Sequence, residues 1–409
     1  MKNLGSSIAV FVGAALAAAL ACLASLGIVT ATAQQAPPAA RPSITLVSIP
    51  DFVNADVGDV RGIQRPGYLG WDPGDPNSNN RYYRATLEVV LDQVASENPD
   101  AVLVAGDEVN GHWGVDANRT GIFGRVNTHE QKLQAVRNAG ALYYSEWKER
   151  FARRGLEVYP AVGDHEVGDN PWPSGSFKSR AFDTFKGTWA RHFTANGTKY
   201  AKRPKGTPYE GTAYAVKLAP DTLLITVDTF AKYGGTVHTR LTGDQLRWVS
   251  RAIARARGSG VKNVIVQGHV PVLRPVKSLS SSDLLYEGGR GSAFWRMLKR
   301  RDVDLYLAGE VHDMNVHNDG TLVHVTHGGY VPHGKSNYLL IKVYQDRIEL
   351  QLKQFRGRLL NRTHKLWQTG NRRPAWSQVI NPDPRSVGTM TIDKSTGVSV
   401  LRNRTGRFG

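Results

Sequence analysis

Five short polar motifs, each placed where an apolar run ends, constrain this chain more than any other feature. In order they are Asp51-Phe52-Val53-Asn54, Gly106-Asp107-Glu108-Val109-Asn110, Gly163-Asp164-His165-Glu166, Gly268-His269 and Gly309-Glu310-Val311-His312. The runs before them, such as Ser43–Ile49 and Ala101–Ala105, read as buried strands. In an α/β protein strand ends converge on one sheet edge, and ligand sites are built there. Asp, Asn, Glu and His together are the ligand set of a hard or borderline divalent cation. The pattern therefore reads as a metalloenzyme with two metal ions close together.

The N-terminus reads as a secretory signal over residues 1–33. Lys2 gives a basic start, Ile8–Val29 is apolar, and Ala31-Thr32-Ala33 is a small-residue cleavage site. Cleavage after Ala33 implies a secreted or periplasmic protein with no transmembrane segment in the mature chain. The rival readings are a retained anchor, since the run is long enough to span a bilayer, and lipidation at Cys22, which the apolar Leu23–Val29 after it disfavours. Cys22 is the only cysteine. Disulfides, thiolate zinc sites and thiol chemistry are thereby excluded from the rest of the chain, and the fold must rest on a large core.

Residues 34–42 are a Pro/Ala-rich spacer. Because the motifs run from Asp51 to His312, the expectation is one catalytic domain over 43–345 with a β-rich extension over 346–409. The formal net charge of +17 reads first as a solvated basic surface. Attraction to phosphate esters, nucleic acid or an anionic envelope is its functional alternative. No specific nucleic-acid motif accompanies the charge.

Helical spacing is predicted over Arg84–Glu97, Glu130–Arg154, Ser179–Phe193, Thr242–Arg257 with Thr242 as N-cap, and Ser292–Arg301. Strands are predicted over Leu156–Val162, Tyr214–Leu218, Thr222–Val227, Val264–Gln267 and Leu305–Ala308. From Thr321 onward only strands are expected, including Tyr338–Val343 and Arg347–Leu352. Gly67–Asn80 and Asn170–Ser176 read as loops, the second placed to wall the site. Helix–strand alternation followed by strands gives an α/β class with extra β structure at the end.

The motif order, strand contexts and spacing over residues 43–345 resemble the calcineurin-like metallophosphoesterases, including purple acid phosphatases. The family pattern is Asp-x-His, Gly-Asp-x-x-(Asp or Tyr), Gly-Asn-His-(Asp or Glu), a lone His after a strand, and Gly-His-x-His. Leu241–Trp248 also resembles the helix that precedes the fourth motif. The resemblance implies a calcineurin-like four-layer sandwich, with two mixed β-sheets flanked by helices. It implies a metal-dependent phosphoesterase acting on a small phosphate-ester substrate through a water activated by two metals. By the same resemblance Asp51 and His312 belong to the first metal, Asp107 bridges, and Asp164, His269 and Glu310 belong to the second. His165 is the catalytic imidazole that faces the leaving group.

Three departures from the pattern matter. Val53 stands where many members have a His ligand, Asp164 replaces Asn, and Glu310 replaces the first His of the last motif. Purple acid phosphatases lack the first-motif His and use a Tyr at the end of the second motif. That position is Asn110 here, so its side-chain oxygen is the candidate to complete the first metal, with a turn cap as the alternative. The expected cofactors are two divalent or trivalent metal ions among Mn, Fe, Mg, Ca and Zn, and the four carboxylates should hold the hard ones (Mn, Mg, Ca, Fe(III)) better than a His-rich site would. The added charge weakens them as Lewis acids, so the alternative is a catalytically weak or inactive metal- or phosphate-binding member of the same fold.

Several residues carry open alternatives. Asp56 or Asp59 could replace Asp51 as the ligand. Glu166 reads as orienting His165 or capping a helix, Asn54 as a neighbour of the ligands, and His112 and Trp113 as loop residues near the site. His317, His324, His327 and His333 read as packing or surface residues, although His327-Gly328-Gly329 could approach the site. The sequons at Asn118, Asn196, Asn361 and Asn403 carry no inference.

Overall fold

The computed structural model describes residues 41–63, 81–117, 119–195, 197–241, 243–274, 276–277, 281–329, 336–359, 378–380, 382–397 and 399–409. The expected signal peptide, most of the spacer, the Gly67–Asn80 loop, Thr242, His333 and the sequons at Asn118, Asn196 and Asn361 lie outside them. Among the described residues no helix is long and apolar enough to cross a membrane.

Two mixed sheets dominate. In the first, β1 (Ile44–Ser48), β2 (Ala101–Val104) and β3 (Val158–Pro160) run parallel. Beyond β1, antiparallel strands continue the sheet: β12 (Asn337–Val343), β13 (Arg347–Gln354), β16 (Arg385–Asp393) and β17 (Val400–Gly406). β13, β16 and β17, all after Tyr344, thus extend the sheet that carries the first three motifs.

In the second sheet β5 (Thr222–Thr226), β8 (Asn263–Gln267), β9 (Leu305–Ala308) and β11 (Leu322–Thr326) are parallel. Antiparallel β4 (Tyr214–Ala219) and β10 (Asn315–Asp319) close its two edges. Two small antiparallel pairs complete the β structure of the described residues, the hairpin of β6 (Phe230–Tyr233) with β7 (Thr236–Thr239) and the pairing of β14 (Gly357–Leu359) with β15 (Gln378–Ile380). The β6–β7 hairpin was not expected, yet Gly234 and Gly235 join its strands with φ of 54° and 84°. A left-handed Gly-Gly pair is a direct hairpin signal.

The helices are α1 (Arg81–Ser96), α2 (His129–Ala152), α3 (Phe177–Phe193), α4 (Gly243–Gly258) and α5 (Ala293–Arg300). Local chemistry sets their starts. Thr128 and Gln131 form a reciprocal capping box at α2, and the Ser292 hydroxyl accepts from the Trp295 amide at α5. On α1, Leu87, Leu91 and Val94 face the core as their spacing predicts. On α4 the buried face is Gln245, Trp248, Val249, Ala252 and Ile253, with Leu246 only partly buried. α2 meets α3 through aromatic edges, with Phe193 against Tyr144 and Trp147 at 5.2 and 5.5 Å.

The sheets share one core and are pinned by buried side-chain donors. Gln267 Nε2 on β8 donates to the Tyr159 carbonyl on β3 at 2.9 Å, and the Tyr214 hydroxyl on β4 donates to the Pro160 carbonyl at 2.6 Å. Such buried bonds fix one sheet's position on the other.

Candidate metal centre

The C-terminal ends of β1, β2 and β3 meet those of β8 and β9, and all five motifs converge there. Asp51 N–H donates to the Gly106 carbonyl (3.1 Å) and Asn54 N–H to the Asp107 carbonyl (3.1 Å), joining the first two loops. At this edge two bonds to or from the main chain join the motif loops of the two sheets. Glu310 N–H donates to Asp51 Oδ1 at 3.0 Å, and His269 Nδ1 donates to the Ala105 carbonyl at 2.7 Å.

The backbone is bent hard here. Asp51, Asn54, Asp107, Asp169, Glu310 and His312 all hold left-handed φ, at 52°, 38°, 62°, 63°, 72° and 52°. Non-glycine residues in this region carry strain, and its concentration marks a functional constraint. Gly106 (φ 94°) shows why the second motif opens on glycine, since a Cβ there would lie 2.6 Å from His269 Nδ1.

The buried side chains form two triads that share one carboxylate. Ligand atoms of Asp51, Asp107 and His312 lie within 4.8 Å of one another, as do those of Asp107, Asp164 and His269. His269 Nε2 stands 3.4 Å from Asp107 Oδ1, 3.0 Å from Asp164 Oδ1 and 3.3 Å from Glu310 Oε2. His312 Nε2 lies 3.9 Å from Asp51 Oδ1. Asn54 lies inside the cluster, its Nδ2 3.2 Å from Asp107 Oδ2 and 3.3 Å from His312 Nε2.

These residues fit a pair of cations. Asp51 Oδ2 is buried with no hydrogen-bond partner among the described residues, a costly state for an ionised oxygen unless a cation faces it. Burial pushes the Asp51 carboxyl up to about 7 and drives Asp107 well above the usual carboxylate range, with Asp164 adding to the second shift. A divalent ion inverts that logic by holding the carboxylates ionised. Burial opposes protonation of His269, but Asp107, Asp164 and Glu310 hold its pKa well above the usual imidazole range. Because Nδ1–H is kept on a backbone carbonyl, a cation that displaced the Nε2 proton would meet the tautomer a ligand histidine needs.

His165 stands apart from the triads. Its Nδ1 donates to the Asn110 carbonyl at 2.6 Å, leaving Nε2 3.9 Å from both Asp107 Oδ2 and Asp169 Oδ1. Burial opposes its protonation, but Asp164 and Asp169 outweigh that and raise its pKa to about 9. With the carboxylates alone this favours the imidazolium, the form able to give a proton. His112 pairs with the same Asp169 (Nε2 to Oδ2, 2.5 Å), a contact too close to admit an ion between the two atoms.

Other residues near the centre make contacts that their sequence did not specify. Glu166 neither orients His165 nor caps a helix. Its Oε2 accepts from the amides of Asp107 and Gly163, both at 2.8 Å, and its Oε1 from those of Glu108 and Val109 at 2.9 and 3.2 Å. It locks the second motif loop to the third. Asp56 accepts from the Asn110 amide (3.1 Å) and the Trp113 indole (3.0 Å), while Asp59 pairs with exposed Arg61. Asp51, and neither of these, sits in a triad. Asn110 contributes through its backbone, and its side-chain nitrogen is buried without a hydrogen-bond partner among the described residues.

Trp113 is core, stacked at 6.0 Å on Tyr143. Val53 is buried in the apolar core. His324 and His327 are buried packing residues, His327 bonding Ser48 Oγ at 2.8 Å. Gly328 does approach the site, since a Cβ on it would meet Asp51 Oδ2 at 2.4 Å. Asn170 and Ser282, which bond Asp164 and Glu310, were missed as individual residues. The loop holding Asn170 was expected to wall the site, but nothing in the sequence marked Ser282.

Comparison with known proteins agrees with this geometry. A family model described as calcineurin-like phosphoesterase matches residues 57–314. A search of curated proteins returned no match. Among solved structures, that of PhoD is 13% identical with a TM-score of 0.54, covering 91% of this chain and 74% of its own. A dimetal phosphatase from Danio rerio is 16% identical with a TM-score of 0.45, covering 76% of this chain and 95% of its own. At 13% identity the likeness to PhoD is one of fold.

Proposed function

Because the chain belongs to the calcineurin-like phosphoesterase family, we propose that it is an exported, metal-dependent phosphoesterase that hydrolyses phosphate esters at the Asp107 centre. The observation that carries this reading is the pair of buried triads joined by Asp107. Asp51 and His312 would hold one ion and Asp164, His269 and Glu310 the other, with Asp107 common to both. Two ions so placed supply Lewis-acid activation of a water and charge neutralisation at the phosphoryl group. With four carboxylates in the set, hard ions such as Mn, Mg, Ca or Fe(III) suit it better than zinc.

The protein's own groups do the rest. His165, protonated and held by the Asn110 carbonyl, directs Nε2 toward the space beside Asp107 and gives its proton to the departing oxygen. Asp169 draws that imidazolium to one side of the site. Asn54 fixes the rotamers of Asp107 and His312. The net charge of +17 favours the approach of an anionic ester. Export rests on the N-terminal basic–apolar–Ala-x-Ala pattern.

Metal analysis of the purified protein, combined with turnover of monoester, diester and pyrophosphate substrates under Mn, Mg, Fe, Zn and Ca, tests the reading. Two bound equivalents with metal-dependent hydrolysis are expected. Stoichiometric metal without turnover of any substrate would replace the enzyme with a binding protein on the same scaffold.

A further inference from the structure

The two substituted positions, Asp164 and Glu310, share a support. A carboxylate that gives one oxygen to a cation still has a second, and that outer oxygen needs a donor when buried. Asn170 Nδ2 donates to Asp164 Oδ2 at 2.7 Å, and its other proton goes to Ser282 Oγ at 2.7 Å. The Ser282 hydroxyl then gives its single proton to Glu310 Oε1 at 2.6 Å, and the Leu284 amide donates to the same oxygen at 3.1 Å. The inner oxygens, Asp164 Oδ1 and Glu310 Oε2, face His269 Nε2. The five side chains close a ring whose direction is fixed, because an amide oxygen in place of Asn170 Nδ2 would oppose the carboxylate.

We propose that Asn170 and Ser282 are positioning residues that set the affinity of the second metal ion, by holding apart two carboxylates that stand where the family has an amide and an imidazole. Asn170 lies in the half-buried turn after the third motif, and Ser282 is exposed on the segment that crosses from the fourth motif toward α5. The bridge therefore ties two separate loops to one ion. It neutralises the outer edge of the pair without adding a ligand, as partners behind ligand carboxylates do. This inference rests on the two-metal reading above.

The test is calorimetric titration of Mn2+ alone into the metal-stripped full chain. Wild type takes up two equivalents. Asn170→Ala and Ser282→Ala are each expected to weaken one binding step by about 10–100-fold, the usual loss for a group that orients a ligand, and to leave the other step unchanged. Ser282→Thr, which keeps the hydroxyl, retains wild-type affinity. Ser282 is exposed, so its variants test the bridge with little risk to folding. Two unchanged steps in both alanine variants, or equal weakening of both steps, would overturn the inference and leave the two-metal reading standing. A wild type that takes up no Mn2+ overturns both.

Discussion

On one side of Asp107 the Asp51 carboxylate is held mainly by backbone groups, and on the other the carboxylates of Asp164 and Glu310 are held mainly by other side chains. Asp51 owes its position to left-handed backbone, to the Glu310 amide and to glycines that leave room for its Oδ2, while His312, also in left-handed backbone, meets the Asn54 side chain. Asp164 and Glu310 are steered by Asn170, Ser282 and His269. A ligand fixed by backbone tolerates little change, because its environment is set by φ, ψ and close contact. A ligand fixed by side chains can change type if its partners change too. The Asn-to-Asp and His-to-Glu departures fall on the side-chain-held half. In the backbone-held half, Val53 removes one ligand and alters none of the others.

The largest expected effect removes the difference between the halves. Asp107→Asn should release both ions and abolish turnover together, since a neutral amide is a poor bridge, and elemental analysis with a rate measurement reads both. Two retained equivalents would break the picture of a shared carboxylate. His165→Asn comes next. It should lower the rate by roughly 10²–10⁴ while metal content stays at wild type, and a parallel loss of metal would move His165 into the ligand set.

The halves then separate by stoichiometry. Glu310→Ala should lose one equivalent and keep the other. Glu310→His should keep both and shift preference toward zinc or cobalt, because imidazole suits softer ions. Gly328→Ala should disturb only the Asp51 side, where its new Cβ meets Oδ2. Loss of the same ion in Gly328→Ala and Glu310→Ala would refute the division.

The smallest effect concerns the core behind the centre. His324 is buried neutral, its pKa lowered to about 3 by burial and by His317. Its ordinary value is 6.5, so between the two the unfolded chain takes a proton that the folded chain refuses. The stability it contributes is present above about 6.5 and is lost as pH falls toward about 3. In thermal melts between pH 7 and pH 5 the wild type should lose Tm relative to His324→Gln, the difference between the two narrowing as pH falls. An unchanged difference would place the acid sensitivity elsewhere, His327 being the next candidate at about 4.

Much of this was legible in the sequence because strands alternate with helices and each buried strand ends on a polar cluster. Asp51, Asp107, Asp164, His269 and His312 come together for that reason, since parallel strands bring their C-terminal ends to one edge. Helix spans agree to within a few residues where capping and apolar spacing act locally, as at Thr128 and Ser292. Glu166 as an amide clamp, the Asn110 carbonyl behind His165, and the bridge from Asn170 to Ser282 were not legible. Each depends on which backbone group or side chain a partner up to 112 residues away presents. The sequence alone therefore determined the residue types and the strand ends that carry them, which are local properties of the chain. Tertiary structure decided which half of the centre rests on backbone and which on side chains, because that depends on how the two sheets and their loops pack against each other.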